Sequence, residues 1–160
     1  MSHESEMIPL LRAEAIAQLE ELEFRHPLNT NSDVRMRSIG ERVGLQRIGI
    51  HLTRVPPGKE SFVYHTHVGE EEFIYILSGR GIAEIGDKEF EVKTGDFMGF
   101  PAPSVGHHLR NPFDADLLYL MGGERHEIEV GDYLRLRKRG VRTGTEMQLI
   151  EWANLDPFWK

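Results

Sequence analysis

Two histidines of this chain are spaced so that they could bind one metal ion. His65 and His67 stand two positions apart in a segment that is predicted to be a β-strand. Alternation along a strand sends both side chains to the same face, about 6.6 Å apart at a rise of roughly 3.3 Å per residue. Two neutral imidazoles in this arrangement can converge on an ion at distances of about 2.0–2.1 Å. The pair is therefore a candidate metal-binding site.

A carboxylate and a third imidazole could complete this site. The triplet Glu70-Glu71-Glu72 follows His67 after a two-residue turn, so an antiparallel return strand would bring one of its members opposite the histidine pair. The turn alone leaves the choice among the three glutamates open. His107, forty residues farther on, is the last candidate. Three imidazoles with one carboxylate suit Mn, Fe, Co, Ni or Zn, and they do not resemble a Ca or Mg cage.

The elements that must position these residues are predicted to be short strands. In the first strand, aliphatic residues stand at every second position and therefore share one face: Ile48, Ile50 and Leu52. We predict that this face points inward, which leaves His51 exposed. The Gly86-Asp87 link is typical of a tight type II′ hairpin. At least six short strands with no helical segment between them predict an antiparallel sandwich or a small barrel.

The segments on either side of these strands differ from them in composition. Residues 1–43 are predicted to form an N-terminal arm, lying on the main body or on a partner chain. Its helix of about four turns would place four residues on one face: Leu11, Ala15, Leu19 and Leu22. Residues 44–125 form the predicted barrel, and residues 126–160 a C-terminal extension packed on it. We interpret the basic stretch 133–142 of that extension as a solvated edge strand rather than an anion-binding patch.

The composition excludes several classes of function. The 160 residues include 26 acidic and 19 basic side chains, and the net charge of −7 argues against nucleic-acid binding. There are no cysteines, which excludes disulfides, thiol catalysis and iron–sulfur clusters. No uncharged stretch is long enough for a membrane span, and the first residues lack the apolar core of a secretory signal. We expect a cytoplasmic protein that does not bind membranes.

Two segments resemble the paired motifs of the cupin superfamily. The segment 58–79 resembles the first motif, which is a glycine, an H-x-H pair, a glutamate and then a glycine seven positions later. The segment 95–111 resembles the second motif and has its residues in the family's order: Gly95, Pro101, His107 and Asn111. There are departures, because the first motif has one extra residue before His65. The second motif has Pro103 where glycine is usual and one extra residue before His107.

The resemblance implies a fold, a ligand set and a partner. The fold would be all-β, a double-stranded β-helix known as the cupin jelly-roll barrel. One divalent transition metal ion (Fe, Mn, Zn, Ni or Co) would be bound by four residues: His65, His67, Glu72 and His107. The spacing to Gly79 selects Glu72 over Glu71, and the spacing to Asn111 selects His107 over His108, which should face the other way. Many relatives pair, so we expect a homodimer.

The fold alone does not define the function, because this barrel hosts unrelated chemistries. The first hypothesis is a metal-dependent enzyme acting on a small sugar-like or carboxylate metabolite, either an isomerase of a sugar or sugar phosphate or an Fe(II) dioxygenase. In such an enzyme Glu72 would orient the ligands or act as a catalytic base. No inward cationic cluster is found in 58–111, which weakens the sugar-phosphate version. The alternative is a non-catalytic binding or sensor protein that anchors its small-molecule ligand on the metal.

Overall fold

The computed structural model describes residues 9–157, which form mainly antiparallel strands. The one α-helix in this part of the chain is α1 (Ala13–Ala17). Twelve strands follow: β1 (Leu22–Phe24), β2 (Val34–Ser38), β3 (Ile48–Val55), β4 (Glu72–Ser78), β5 (Arg80–Ile85), β6 (Lys88–Lys93), β7 (Phe97–Phe100), β8 (His107–Arg110), β9 (Leu117–Glu124), β10 (Ile128–Tyr133), β11 (Lys138–Thr143) and β12 (Glu146–Glu151). Short 3-10 helices lie at Glu41–Val43, Leu134–Leu136 and Trp152–Asn154.

Two sheets enclose the core. One has the strand order β1-β2-β3-β9-β4-β7 and the other the order β6-β5-β8. The buried apolar cluster draws on strands of both sheets, with Val55 from β3, Ile76 from β4, Ala83 from β5, Leu109 from β8 and Tyr119 from β9. A core enclosed between two antiparallel sheets is the architecture of a jelly roll. The predicted all-β jelly-roll barrel is confirmed.

Strand β4 shows how the barrel presents a polar residue to its interior. Ile74 and Ile76 are buried in the core, whereas Tyr75 and Leu77 are 39% and 37% exposed. Glu72 has the same parity as the two isoleucines, so the alternation of the strand aims its carboxylate inward. Glu72 is the first residue of the strand, which places it at the end of the apolar row.

The face of strand β3 that points to the interior is the opposite of the predicted one. The expected inward residues were the three aliphatic ones: Ile48, Ile50 and Leu52. Instead, Thr53 and Val55 are fully buried. They pair across the sheet with two fully buried residues of β9, Tyr119 and Leu117. The long-range register therefore sets the inward face, since a shift of one residue would exchange the two faces of the strand. His51 consequently points inward and is half-buried, so the expectation that it is exposed was wrong.

The N-terminal helix is shorter than predicted. It ends at Ala17, and the next amide, that of Gln18, bonds to the carbonyl of Ala15. No residue of the helix is buried, so tertiary packing adds little to hold further turns. Leu22 begins β1 instead and pairs with Met36 of β2, so the segment extends the larger sheet with two strands. Within residues 9–157, no helix has the length and apolar character needed to cross a membrane.

The C-terminal residues form a third sheet, with the order β10-β11-β12. The basic stretch contributes its central strand β11, not the edge strand that was predicted. Four of its cations form ion pairs with carboxylates: Arg135 with Glu84, Lys138 with Glu151, Arg139 with Asp132 and Arg142 with Glu70. The guanidinium of Arg137 stacks over Trp152 at 5.7 Å. The cations of this stretch therefore balance nearby negative charges, and one of them packs against an aromatic ring.

Asn111 of the second motif holds the barrel together through its side-chain amide. The residue is fully buried, and its Nδ2 donates to the carbonyls of Val55 and Ala115 at 2.9 and 2.8 Å. Its Oδ1 accepts from the amide of Phe113 at 3.2 Å. The side chain thereby satisfies three backbone groups in the interior.

We predict that Asn111→Ala lowers the free energy of unfolding by about 2–4 kcal/mol, because it leaves those buried backbone groups without partners. Urea unfolding measures the change. Asn154→Ala, at an exposed site, is the matched control and should stay within about 0.5 kcal/mol of the parent protein. Equal stabilities of the two variants would contradict the assigned role.

Candidate metal centre

The four residues selected from the two motifs lie together inside the barrel. The Nε2 atoms of His65 and His67 are 3.1 Å apart. The Oε2 atom of Glu72 lies 3.1 Å from Nε2 of His67 and 3.2 Å from Nε2 of His107. One nitrogen or oxygen atom from each of the four lies within 4.8 Å of those from the others. The spacing is short enough for all four atoms to contact one ion.

The segment that carries His65 and His67 is extended, but it is not the regular strand that was predicted. Its pairing with β8 is a single isolated bridge, in which the backbone amides and carbonyls of His65 and His107 exchange hydrogen bonds of 3.1 and 2.9 Å. The next amide, that of Thr66, donates to the carbonyl of Asp132 on β10 at 3.0 Å. Successive peptides therefore bond to different neighbours, which prevents a continuous ladder. Both imidazoles still lie on one side of the segment, since their Nε2 atoms are 3.1 Å apart.

Backbone carbonyls orient two of the imidazoles. Nδ1 of His65 lies 2.6 Å from the carbonyl of Val63, and Nδ1 of His107 lies 2.9 Å from that of Val105. A carbonyl only accepts, so each Nδ1 carries the proton and each Nε2 presents a lone pair to the centre. Burial and the neighbouring His107 lower the pKa of His65 to about 3. His65 is therefore neutral at physiological pH, which is the form that binds metals.

A buried carboxylate lies beside the imidazole of His67, which no backbone carbonyl of the described residues orients. Nδ1 of His67 is buried without a hydrogen-bond partner within residues 9–157, and Oε1 of Glu129 lies 3.5 Å from it. Glu129 is fixed by the amides of Val68 and Gly69, at 3.0 Å and 3.2 Å. Burial opposes a charge on His67, but the adjacent carboxylates raise its pKa above the usual value. The sequence analysis missed Glu129, which lies on β10 far along the chain.

Glu72 is the one member of its triplet that reaches the cluster. Burial alone would raise its pKa, but hydrogen bonds from His107 and His67 hold the pKa of this carboxyl well below its usual range. Glu70 is buried elsewhere, where it accepts from the amide of His126 and pairs with Arg142. Glu71 is exposed. The geometry thus agrees with the choice that the motif spacing made among the three glutamates.

His108 faces away from the cluster, as its parity predicts. Its Nδ1 lies 3.0 Å from Oε2 of Glu84, and the side chain is buried. His108 is therefore neither a surface residue nor a fifth member of the cluster.

Three residues of the cluster, His65, His67 and Glu72, line a cavity of about 290 Å³. The cavity wall includes apolar and aromatic side chains, among them Phe62, Met121 and Tyr133, together with His51 from β3. Arg125, which directly follows β9, also lines it. The sequence search for a cation covered 58–111 and therefore missed this residue. A small molecule in the cavity would contact the cluster and a guanidinium at once.

The donor set fits a divalent transition metal ion. Three imidazole nitrogens and one carboxylate oxygen are a mixed set that suits Mn, Fe, Co, Ni or Zn. Two of the imidazoles are already held in the metal-binding tautomer, and the unpartnered Nδ1 of His67 has a carboxylate behind it. Such ions take four to six ligands, so four protein ligands leave room for atoms of a bound molecule.

Comparison with known proteins supports the fold and the motifs. The model of the Cupin domain family matches residues 51–123, which run from β3 to β9. A crystal structure of a candidate sugar phosphate isomerase from Acidithiobacillus ferrooxidans is 35% identical in sequence and superposes with a TM-score of 0.90. The match covers 95% of this chain and 97% of that one.

Two curated relatives match over shorter segments. An uncharacterised protein of Methanocaldococcus jannaschii is 40% identical over 57 residues, which are 36% of this chain and 44% of that protein. The oxalate-binding protein of Thermotoga maritima is 36% identical over 67 residues, which are 42% of this chain and 54% of that protein. The chain thus spans about half the length of these two relatives. Together with the match along nearly the whole of the Acidithiobacillus protein, these similarities show that the chain belongs to the cupin superfamily.

Proposed function

We propose that this protein is a metal-dependent isomerase of a small phosphorylated sugar. The observation that carries the proposal is the opening of the His65–His67–Glu72–His107 cluster into a cavity that also holds Arg125. A sugar phosphate has vicinal oxygens that a metal centre binds and an anionic end that a guanidinium binds. The similarity to a candidate sugar phosphate isomerase along 95% of the chain supports the same substrate class.

The four cluster residues would hold the ion, and one of them has a second task in this proposal. The bound ion would polarise the carbonyl and hydroxyl oxygens of the sugar. Aldose–ketose isomerisation also needs a base that moves a proton between neighbouring carbons. Oε2 of Glu72 faces the imidazoles, and Oε1 forms no hydrogen bond within residues 9–157. Because Glu72 also lines the cavity, we assign this proton transfer to its Oε1 atom.

The apolar part of the wall would keep water away from the reacting carbons. Phe62, Met121 and Tyr133 lie on the same cavity as the cluster. Exclusion of water strengthens the interactions of the charged groups with the substrate.

A turnover assay tests the proposed function. The metal-loaded protein is incubated with a panel of aldose and ketose phosphates in ²H₂O, and NMR follows both interconversion and exchange of the proton on the carbon beside the carbonyl. We expect both processes with at least one substrate, and their loss in His65→Ala/His67→Ala. Consumption of dissolved oxygen without interconversion would contradict the proposal and favour the dioxygenase hypothesis.

A second candidate function is non-catalytic binding of a small carboxylate. The observation that favours it is the similarity of 42% of the chain to an oxalate-binding protein. A dicarboxylate would use the same cluster and the same guanidinium. Tight oxalate binding with no turnover and no proton exchange in the assay above would favour this candidate.

The carboxylate behind His67 is expected to tune metal affinity. Glu129→Gln removes the negative charge 3.5 Å from Nδ1 of His67 while keeping one acceptor oxygen for the backbone amides. We predict an affinity for Zn²⁺ about 10- to 100-fold weaker, measured by competition with a chromophoric chelator. Glu127→Gln, at an exposed position two residues away, is the matched control. Equal affinities of the two variants would show that Glu129 has only a structural role.

A further inference from the structure

Two polar residues of the cavity wall, His51 and Arg125, each contact a polar residue behind the wall, separate from the candidate metal ligands. Arg125 contacts Glu41 through its Nη2 atom, 2.5 Å from Oε1 of the carboxylate. His51 contacts Ser38, with 2.9 Å between Nδ1 and Oγ. The two pairs are neighbours, because the guanidinium of Arg125 packs on Gly49, two residues before His51 on β3.

Gly49 makes the space in which the guanidinium lies. A Cβ atom built on Gly49 would stand 2.8 Å from Nε, 3.1 Å from Nη2 and 3.3 Å from Cζ of Arg125. The guanidinium therefore packs against the bare backbone of β3. Any larger residue at this position would push it away. This packing fixes the guanidinium at the cavity wall.

Arg125 retains hydrogen-bonding capacity after its contact with Glu41. A guanidinium has five N–H donors, and Glu41 contacts the Nη2 atom. Nη1 has no partner within residues 9–157, and the side chain is 35% exposed. The cations of the basic stretch 133–142 differ, because none of their side chains lines this cavity.

The charges of the cavity make Arg125 distinctive. The other charged residues on its wall are carboxylates: Glu70, Glu71, Glu72 and Glu124. Burial lowers the pKa of His51, so this neighbour adds no permanent charge at neutral pH. Arg125 is therefore the permanent cation of the cavity wall within the described residues. An anionic group entering the cavity has this one fixed side-chain partner.

We propose that Arg125 binds the anionic group, phosphate or carboxylate, of the small molecule whose other end reaches the candidate metal centre. The guanidinium would donate to the anion through Nη1, while Nη2 keeps its contact with Glu41. Glu41 and Gly49 act as positioning residues, because one holds the guanidinium by charge and the other by leaving space. This inference deepens the proposed function and rests on it for the position of the ligand's second end.

Calorimetric titration of the metal-loaded protein with inorganic phosphate, and separately with succinate, tests this site. We expect Arg125→Gln to weaken anion binding by about 10- to 100-fold, as the loss of a charged hydrogen-bond partner does. Arg80→Gln is the matched control, because Arg80 also pairs with a glutamate but lies outside the cavity. It should bind like the parent protein. Stronger binding of phosphate would indicate a phosphorylated ligand, and stronger binding of succinate a carboxylate.

A second variant separates the position of the charge from its presence. Gly49→Ala keeps the guanidinium but displaces it, so we expect anion binding weakened at least fivefold with the fold retained. Equal affinities of Arg125→Gln and Arg80→Gln would overturn the proposal, and so would the absence of anion binding to the parent protein.

The metal content and the turnover of each sample together separate this proposal from the proposed function. A protein that holds metal and interconverts a sugar phosphate, but shows no effect of Arg125→Gln on anion binding, contradicts only the anion site. A metal-loaded protein that loses anion binding on Arg125→Gln, but interconverts no sugar phosphate, contradicts only the proposed function.

Discussion

Glu72→Gln is expected to lower metal affinity by more than 100-fold and to abolish turnover. Glu72 is the one carboxylate among the four candidate ligands, and its Oε2 contacts two of the three imidazoles. Glutamine has almost the same shape, but it is neutral and can turn an N–H donor toward the ion. Removing a residue that only hydrogen-bonds a metal ligand weakens metal binding by about 10- to 100-fold. Replacing a ligand itself should therefore weaken it more. Zinc competition titration and the proton-exchange assay measure the two effects.

Glu71→Gln is the matched control for this variant. The residue is adjacent, of the same type and exposed, and the turn in the sequence left it as an alternative. We expect a metal affinity within about twofold of that of the parent protein, because the side chain of Glu71 forms no hydrogen bond with the candidate ligands within the described residues. A large loss of metal in Glu71→Gln with metal retained in Glu72→Gln would show that the carboxylate ligand has been assigned to the wrong residue.

Removal of the metal is expected to lower the melting temperature by about 8–16 °C. A ligand present at about a thousand times its dissociation constant stabilises the folded state by about 4 kcal/mol, and each kcal/mol is worth about 2–4 °C for a chain of this size. The cluster joins the segment around His65 to β4 and β8, so the ion would tie three separate parts of the barrel. Differential scanning calorimetry before and after dialysis against a chelator measures the shift.

His65→Ala/His67→Ala provides the control for chelation. This variant lacks two of the four ligands, so the chelator should not change its melting temperature. An equal shift in the variant and the parent protein would mean that the chelator acts elsewhere, and an unchanged parent protein would mean that the cluster holds no ion.

The sequence is informative about the candidate metal centre because the relevant signals are local. His65 and His67 share a face through the two-residue period of extended backbone. Glu72 follows one tight turn later, at the start of a strand whose buried isoleucines have the same parity. The second motif supplies His107, which the bridge to His65 brings alongside. The residues alone left the choice among the glutamates open, and the resemblance to the two cupin motifs selected Glu72 and His107.

Other features depend on pairing between distant segments. The inward face of β3 is set by its register with β9, so the alternation of Ile48 and Ile50 was a misleading guide to burial. Glu129 reaches His67 from 62 positions away along the chain, and Arg125 reaches Gly49 from 76 positions away. No local spacing links such residues. The homodimer, the cytoplasmic location and the segment boundaries 1–43, 44–125 and 126–160 stay predictions.

Elemental analysis by plasma mass spectrometry tests the central claim most directly. The purified protein is measured beside His65→Ala/His67→Ala, prepared in the same way and checked for folding by circular dichroism. We predict close to one equivalent of a transition metal ion per chain in the parent protein and almost none in the folded variant. Metal at background level in the parent protein, even after reconstitution with Mn, Fe, Co, Ni and Zn salts, would contradict the claim that this cluster binds a metal ion.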